Sequence, residues 1–144
     1  LVSGAAYGTP QRSATGFDQR RLNMLLAVLE KRVGMKMFQK DVFLNFAGGF
    51  KIADTGMDLA VVAAIISSYY DRPLMEGVCC AGEIGLSGDV RPAPRTEQRI
   101  LEAARLGFKR IVVSGYAEKS IKSPKGIDVV FISSIEELPK ALFN

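Results

Sequence analysis

Residues 77–90 read Gly-Val-Cys-Cys-Ala-Gly-Glu-Ile-Gly-Leu-Ser-Gly-Asp-Val, and this stretch decides the kind of fold expected for the chain. Residues 77–81 form an apolar run typical of a buried strand, and the glycine spacing of residues 82–90 predicts a hairpin or loop. Cys79 and Cys80 are the two cysteines of the chain. Neighbouring strand residues point to opposite faces of a sheet, so we expect two buried packing residues and neither a disulfide nor a zinc site.

Helical and strand-like segments alternate upstream of this stretch. Asp18 stands where an N-cap belongs, before an amphipathic helix whose apolar residues run from Leu22 to Val33 and which ends at Gly34. Residues 12–15 follow a Gly-Thr-Pro turn, residues 41–47 are strand-like, and a glycine turn predicts a second strand at residues 50–52. Asp58 is expected to cap a buried helix over residues 59–70, with a functional carboxylate as the second interpretation.

The same alternation continues downstream. Residues 96–106 have helical periodicity, residues 110–113 and 127–132 are short β-branched runs, and Ser134 is expected to cap a last helix that ends near Leu142. Pro139 is expected to bend or shorten that helix. The order of elements predicts one α/β layered domain over residues 1–144. The abrupt start at Leu1 predicts that this domain is cut from a longer protein.

Composition excludes several classes of function. The chain has 144 residues, of which 48% are hydrophobic and 24% charged, the balance of one soluble domain. It contains no apolar run long enough for a membrane span and no signal peptide, so we expect a cytoplasmic protein without a membrane partner. Histidine is absent, which excludes Ser-His and Cys-His catalytic pairs and histidine metal ligands.

Positive charge is concentrated at one end of the chain. The net charge is +4, and residues 1–40 carry seven basic against two acidic side chains, whereas the remainder is nearly balanced. Such an asymmetry indicates either a polyanion-binding face or a solvated helix face. The candidate phosphate contacts are Arg12, Arg20, Arg21, Lys31, Arg32, Lys36 and Lys40, with a second series at Arg91, Arg95 and Arg99. Contact with the nucleic-acid backbone is expected, since aromatic residues are few in these segments.

Two family resemblances sharpen this interpretation. Asp71-Arg72-Pro73, residues 82–90, Glu102-Ala103-Ala104 and Gly107-Phe108-Lys109-Arg110 resemble, in this order, the C-terminal half of the proteolytic domain of Lon-type proteases. Residues 8–18, residues 21–32 and Asn45-Phe46-Ala47-Gly48-Gly49 look like the Lon-like domain of bacterial RadA (Sms) proteins, nearly end to end.

The resemblance implies a fold and a set of partners. The fold would be the layered α/β arrangement of mixed sheets and helices seen in Lon proteolytic domains, the ribosomal protein S5 domain 2-like fold. In the RadA family a zinc finger and a RecA-like ATPase motor precede this domain, so ATP, Mg and Zn are expected only in those other parts and no cofactor here. The implied partners are single-stranded or branched DNA, further copies of the chain in a hexameric ring, and the RecA recombinase.

The resemblance also tests for peptidase chemistry. Lon proteases pair a serine nucleophile with a lysine base, and the corresponding positions here hold Gly56 and Glu97. Ser67 and Ser68 lie about 16 Å along the predicted helix from Gly56, too far to replace the nucleophile. Three functions stay open: a non-catalytic oligomerisation and DNA-binding platform for a branch-migration motor, a protein-interaction module, and, disfavoured by both positions, a Lon-like serine peptidase.

Overall fold

The computed structural model describes residues 1–6 and 8–143, with residues 118–120 described by their backbone alone. Within these residues the chain is a mixed α/β structure. Its strands are β1 (Val2–Gly4), β2 (Arg12–Thr15), β3 (Lys40–Asn45), β4 (Val78–Ala81), β5 (Glu83–Ile84), β6 (Val90–Arg91), β7 (Arg110–Ser114) and β8 (Asp128–Ile132). Its α-helices are α1 (Gln19–Val28), α2 (Asp58–Tyr70), α3 (Thr96–Arg105) and α4 (Leu138–Leu142). The predicted α/β class is confirmed.

The strands form two three-stranded sheets and a short hairpin. In the first sheet, β3 lies between β1, to which it is antiparallel, and β2, to which it is parallel. In the second sheet, β7 lies between β4 and β8, and all three strands are parallel. The hairpin pairs β5 with β6 inside the stretch that begins at Gly82. The predicted hairpin is therefore confirmed.

The parallel sheet is covered on both faces, which explains its short, nearly continuous apolar strands. Along β7, Val112 packs in the large apolar cluster with α1 and α2, whereas Ile111 and Val113 pack in a second cluster beneath α3. Cys80 contacts the first cluster and Cys79 the second. The two cysteines therefore point to opposite faces, as the sequence predicts, and both are free thiols.

Helix α1 begins where its sequence predicts. The Asp18 carboxylate accepts a hydrogen bond from the Arg21 backbone N–H at 2.7 Å, which satisfies one free donor of the first turn. The helix continues into a π-helical turn, Leu29–Val33, and ends at Gly34 with φ +75°, a left-handed conformation that favours glycine. Leu22, Leu25 and Leu26 are fully buried on its inner face.

Asp58 does not cap α2, and this prediction is wrong. It is the first residue of the helix, its side chain is fully buried, and the preceding 3₁₀ turn, Thr55–Met57, is capped by Asp54 instead. The Asp58 carboxylate accepts from Arg21 Nε at 2.6 Å, forms a second short contact with Arg21 Nη2, and accepts from the Ile84 N–H at 3.0 Å. One buried carboxylate thus joins α1, α2 and β5.

The Gly82 segment holds the start of α2 through its backbone. Gly82 N–H donates to the Gly56 carbonyl at 2.9 Å, and the Leu59 N–H donates to the Gly82 carbonyl at 3.1 Å. The Glu83 carboxylate accepts from the Thr55 hydroxyl at 2.8 Å and lies 4.0 Å from Arg21 Nη2. These contacts explain physically why residues 77–90 decide the fold: they connect the parallel sheet to the first turn of the buried helix.

Two sequence predictions need correction, and one further element was not predicted. Residues 50–52 form no strand, because β3 already has a neighbour on each side and the Ile52 N–H donates to the Gly16 carbonyl instead. The segment after the Gly-Thr-Pro turn, to which the sequence analysis assigned no element, is strand β2. Pro139 does not distort α4, since it lies in the first turn, where no backbone donor is needed.

The last helical segment begins as predicted, at Ser134. Its hydroxyl accepts from the Glu136 N–H at 3.3 Å while the Glu137 carboxylate accepts from the Ser134 N–H at 2.9 Å, a reciprocal capping box. A 3₁₀ turn, Ile135–Glu137, precedes α4. None of the helices in the described part of the chain is long and apolar enough to span a bilayer.

The buried ion pair generates a prediction about stability. Arg21→Met leaves the Asp58 charge buried without its partner, so unfolding by urea should show a loss of about 3–5 kcal/mol. In the double variant Arg21→Met, Asp58→Asn no charge is left buried and the amide oxygen still accepts from Ile84, so it should lose less than the Arg21→Met single variant. Arg20→Met, at the exposed neighbouring position, is the control and should change stability by less than about 0.5 kcal/mol. Equal instability of the single and double variants would contradict the argument.

Candidate nucleic-acid interface

Four basic side chains project from α1 and the turns that follow it into solvent. Arg20, Lys31, Arg32 and Lys36 are exposed. Across the part of the chain that the structure describes, no hydrogen bond or ion pair engages their charged groups. Arg20 lies on α1, Lys31 and Arg32 lie on the π-helical turn that continues it, and Lys36 lies beyond Gly34. These side chains meet the requirement for phosphate contact, an unpaired charge within reach of a backbone.

Three other members of the N-terminal basic group are held by the protein. Arg21 is committed to Asp58, whose hydrogen bond is the main cause that raises the pKa of the guanidinium. Arg12 lies on β2 with Nη2 donating to the Met37 carbonyl at 3.2 Å and its Nε buried. Lys40 Nζ lies 5.4 Å from the centroid of the Tyr69 ring, a cation–π distance. Arg21 and Arg12 are therefore engaged inside the protein, and DNA contact by these two residues stays a prediction.

The second basic series is also divided by its partners. Arg91 Nε donates to the Asp89 carboxylate at 2.7 Å, and this hydrogen bond raises the Arg91 pKa. The pKa of Asp89 is lowered first by the hydrogen bond from the Ser87 hydroxyl and then by that from Arg91. Arg99 Nη2 donates to Asp54 at 2.5 Å. Arg95 is exposed, precedes α3 and adopts the left-handed φ of +57°. Of this series, only Arg95 keeps an unpaired charge in the residues described.

Two aromatic rings lie beside the basic residues, a feature that the sequence analysis did not identify. Tyr69 and Tyr70 end α2, and their rings meet edge to face with centroids 5.0 Å apart. The Lys36 N–H donates to the Tyr69 hydroxyl at 3.1 Å, and Lys40 lies over the same ring. In the sequence, this cluster is indicated by two tyrosines at the end of an otherwise apolar helix. Lys36 and Lys40 come from about 30 residues upstream, so only the fold shows that they lie beside Tyr69.

Gly56, which the Lon resemblance predicts at the serine position, lies in a closely packed turn. It is buried, and a Cβ placed on it would lie 2.8 Å from the Ala93 Cβ, 3.0 Å from Asp54 Oδ1 and 3.3 Å from Arg99 Nη2. The first of these separations is shorter than any real Cβ contact. The turn therefore has no room for a serine side chain unless Ala93 and the Asp54–Arg99 pair move.

Glu97, which the Lon resemblance predicts at the lysine position, is exposed in the first turn of α3, where a carboxylate suits the helix dipole. The residue of α3 that reaches the Gly56 turn is Arg99. Its hydrogen bond to Asp54, followed by that from the Gly56 N–H, lowers the pKa of the Asp54 carboxyl. That contribution to stability is present above the ordinary carboxyl pKa and is lost as pH falls through the lowered value.

The two serines of α2 and the two cysteines of β4 serve as structural groups. The Ser67 hydroxyl donates to the Arg72 carbonyl at 2.7 Å, and the Ser68 hydroxyl accepts from the Val2 N–H at 2.8 Å. Burial raises the pKa of Cys79 to about 11 and that of Cys80 to about 12, so both thiols are protonated near neutral pH. Each of these side chains therefore lacks the activation that nucleophilic catalysis needs.

Comparison with known proteins defines the class of protein. Residues 7–116 match the family model described as subunit ChlI of Mg-chelatase, and the chain belongs to that family.

Individual proteins that match nearly the whole chain give a more specific comparison than the family model. The chain is 44% identical over 137 residues to DNA repair protein RadA of Bacillus subtilis, covering 95% of this chain and 30% of the relative. It is 45% identical over 143 residues to RadA of Listeria monocytogenes and 44% identical over 145 residues to RadA of Pseudomonas aeruginosa. These two matches cover 99% and 100% of this chain, and 31% and 32% of the relatives. The predicted resemblance to RadA is confirmed, and the chain spans about a third of the length of these curated relatives.

The packing around Gly56 generates the second prediction. Gly56→Ser should destabilise the chain by about 1–3 kcal/mol, because the added side chain overpacks the turn. The measurement is urea unfolding, with Gly4→Ala as the matched control, since a Cβ at Gly4 meets nothing within 4 Å. The Gly56→Ser chain should also leave unfolded casein intact. A stable Gly56→Ser variant that hydrolyses casein would contradict both the packing argument and the absence of a base.

Proposed function

We propose that this chain is a non-catalytic, Lon-like domain of a RadA-type DNA repair protein. In this proposal it serves as an oligomerisation and DNA-binding platform for the ATP-driven branch-migration motor of the longer protein. The names of the relatives support a role in DNA repair. ATP, magnesium and zinc would be bound by parts of that protein outside this segment.

One observation carries the DNA-binding part of the proposal. Arg20, Lys31, Arg32 and Lys36 extend from α1 and the turns after it with unpaired charges in the described structure, whereas Arg12 and Arg21 face internal partners. Lysine and arginine bound to phosphates release condensed counterions, which favours association with any nucleic acid. The unpaired charges belong to α1 and the turns that follow it, and contacts between such charges and a phosphate backbone carry no base code. Single-stranded or branched DNA is the proposed ligand.

The absence of peptidase activity is supported by the same geometry that excludes a serine at Gly56. A Ser–Lys mechanism needs a nucleophile and a neutral lysine within about 3 Å of each other. Gly56 lacks a side chain, Glu97 is directed to solvent, and Ser67 and Ser68 are engaged with the backbone. A Lon-like peptidase is therefore the disfavoured alternative.

Self-assembly is the third part of the proposal. A closed ring needs a heterologous interface, in which two different patches of each subunit are complementary. The α1 edge and the segment from Arg91 to Arg99 are the proposed patches. A ring of such subunits would also raise the effective concentration of weak phosphate contacts along one strand.

A protein-interaction module is the second candidate function, favoured by the surface beside α3. Leu101 and Leu106 are exposed on this helix, at 51% and 60%, and a groove of about 680 Å³ runs between α3 and β4. Arg95 and Arg99 line the groove together with Phe108. An acidic, apolar segment of a partner, such as the RecA recombinase, would suit this surface. A DNA-binding titration discriminates between the two candidates.

The third prediction tests the unpaired basic residues of α1 and of the turn that follows it. The double variant Arg20→Glu, Lys31→Glu should bind single-stranded DNA more weakly for all sequences alike. The slope of log K against log salt should become shallower by about two units, one for each lost phosphate contact. The matched control is Lys122→Glu, Lys125→Glu, which makes the same change in net charge in an exposed loop. Fluorescence anisotropy at several salt concentrations gives both quantities. Identical affinities and slopes for the two double variants would favour the protein-interaction module.

The fourth prediction concerns assembly. Sedimentation velocity of the isolated chain over a concentration series should show reversible self-association, because the proposed interface is present in each copy. Arg91→Glu, Arg95→Glu should shift the association to higher concentration, since it reverses charge in one proposed patch. A strict monomer up to millimolar concentration would contradict the ring.

A further inference from the structure

The surface at the C-terminal end of α2 combines flat aromatic rings with positive charge. Tyr70 is 53% exposed and packs edge to face on the more buried Tyr69, so its ring is held in place by its neighbour. Asp71 follows in a left-handed conformation at φ +49° and ends the helix there. The two rings are therefore presented where the apolar helix emerges from the core.

A groove begins at Tyr70 and leads away from the helix. Its volume is about 580 Å³, within the range of small-ligand sites, and it is lined by Tyr70, Arg72, Pro139, Lys140 and Phe143. Within this lining the Arg72 guanidinium carbon lies 4.5 Å from the centroid of the Phe143 ring. The groove is thus lined by a tyrosine ring and by a guanidinium that lies on a phenylalanine ring.

Cations surround this aromatic surface. Lys36 begins at the edge of the Tyr69 ring, where its N–H donates to the hydroxyl, and Lys40 Nζ lies 5.4 Å from the ring centroid. Arg72 and Lys140 line the groove. Asp71 is the acidic residue between Tyr70 and Arg72.

We infer that this surface, defined by Tyr70, Lys36, Lys40, Arg72 and Lys140, binds single-stranded DNA by stacking a base on the Tyr70 ring. The flanking phosphates contact Lys36 and Lys140. The inference rests on the proposed function, since it specifies how the same DNA-binding domain distinguishes a single strand from a duplex. Lys36 belongs both to this surface and to the basic group that follows α1, so the two form one continuous path.

The chemistry favours a single strand over other ligands. Every base has a π-face, which in a single strand is available to an aromatic side chain and in a duplex is covered by neighbouring base pairs. A positively charged groove with aromatic rings along it is the arrangement by which proteins bind single strands without reading their sequence. An acidic peptide would use the charges but gain little from a flat, half-exposed ring.

The test separates stacking from charge. Tyr70→Ala in the 144-residue chain should weaken binding of a fluorescein-labelled oligothymidine about five- to a hundredfold, while the slope of log K against log salt stays unchanged. Binding of a duplex of equal length should change little. Tyr70→Phe keeps the ring and should restore parental affinity. Lys36→Ala should instead flatten the salt slope by about one unit.

Tyr116→Ala is the matched control. Tyr116 is 68% exposed but follows the C-terminal end of β7, whereas the groove lies near the N-terminal end, where Arg110 donates to the Ala141 carbonyl. Circular dichroism melts should show that each variant is folded. If the parent binds oligothymidine and Tyr70→Ala matches Tyr116→Ala, the stacking site is refuted while the proposed function stands. If the parent binds neither single strand nor duplex, the proposed function fails first.

Discussion

The buried contact between Asp58 and Arg21 is the interaction on which the rest of the structure depends. A carboxylate without solvent exposure is tolerated only where its charge is paired and its oxygens are hydrogen-bonded, and Arg21 and the Ile84 N–H meet both needs. The pair fixes the rotation of α1 against α2. Because Arg21 faces inward, its neighbour Arg20 faces outward and is exposed.

The turn around Gly56 shows how close backbone packing replaces a side chain. Gly56 and Gly82 lie near enough for their backbones to hydrogen-bond, and the space that a side chain at Gly56 would need is taken by Ala93, Asp54 and Arg99. This arrangement connects the parallel sheet to the buried helix through main-chain contacts. A segment packed in this way supports a rigid platform better than it supports a nucleophile with freedom to approach a substrate.

Whether a basic side chain at the surface can contact phosphate depends on its partners within the protein. Of the ten basic candidates, some are engaged by carboxylates or carbonyls, and Arg21, Arg91 and Arg99 are examples. Others extend freely from α1 and from the turns that follow it. An engaged guanidinium would have to break its ion pair before it could contact phosphate, whereas a free one loses only hydration and rotamer freedom. The division places the proposed DNA contacts on α1 and on the adjoining tyrosine surface.

The sequence by itself determined the local elements, because caps and periodicity depend on residues one or two turns apart. Asp18, Gly34 and Ser134 mark helix boundaries where the structure has them, and the two cysteines take opposite faces of β4. The tertiary structure alone decided which charges are free and where the aromatic rings lie. Arg21 and Asp58 are 37 residues apart, and Lys36 and Tyr69 are 33. Only packing of the helices and sheets brings such residues together, since no local pattern encodes a contact across that distance.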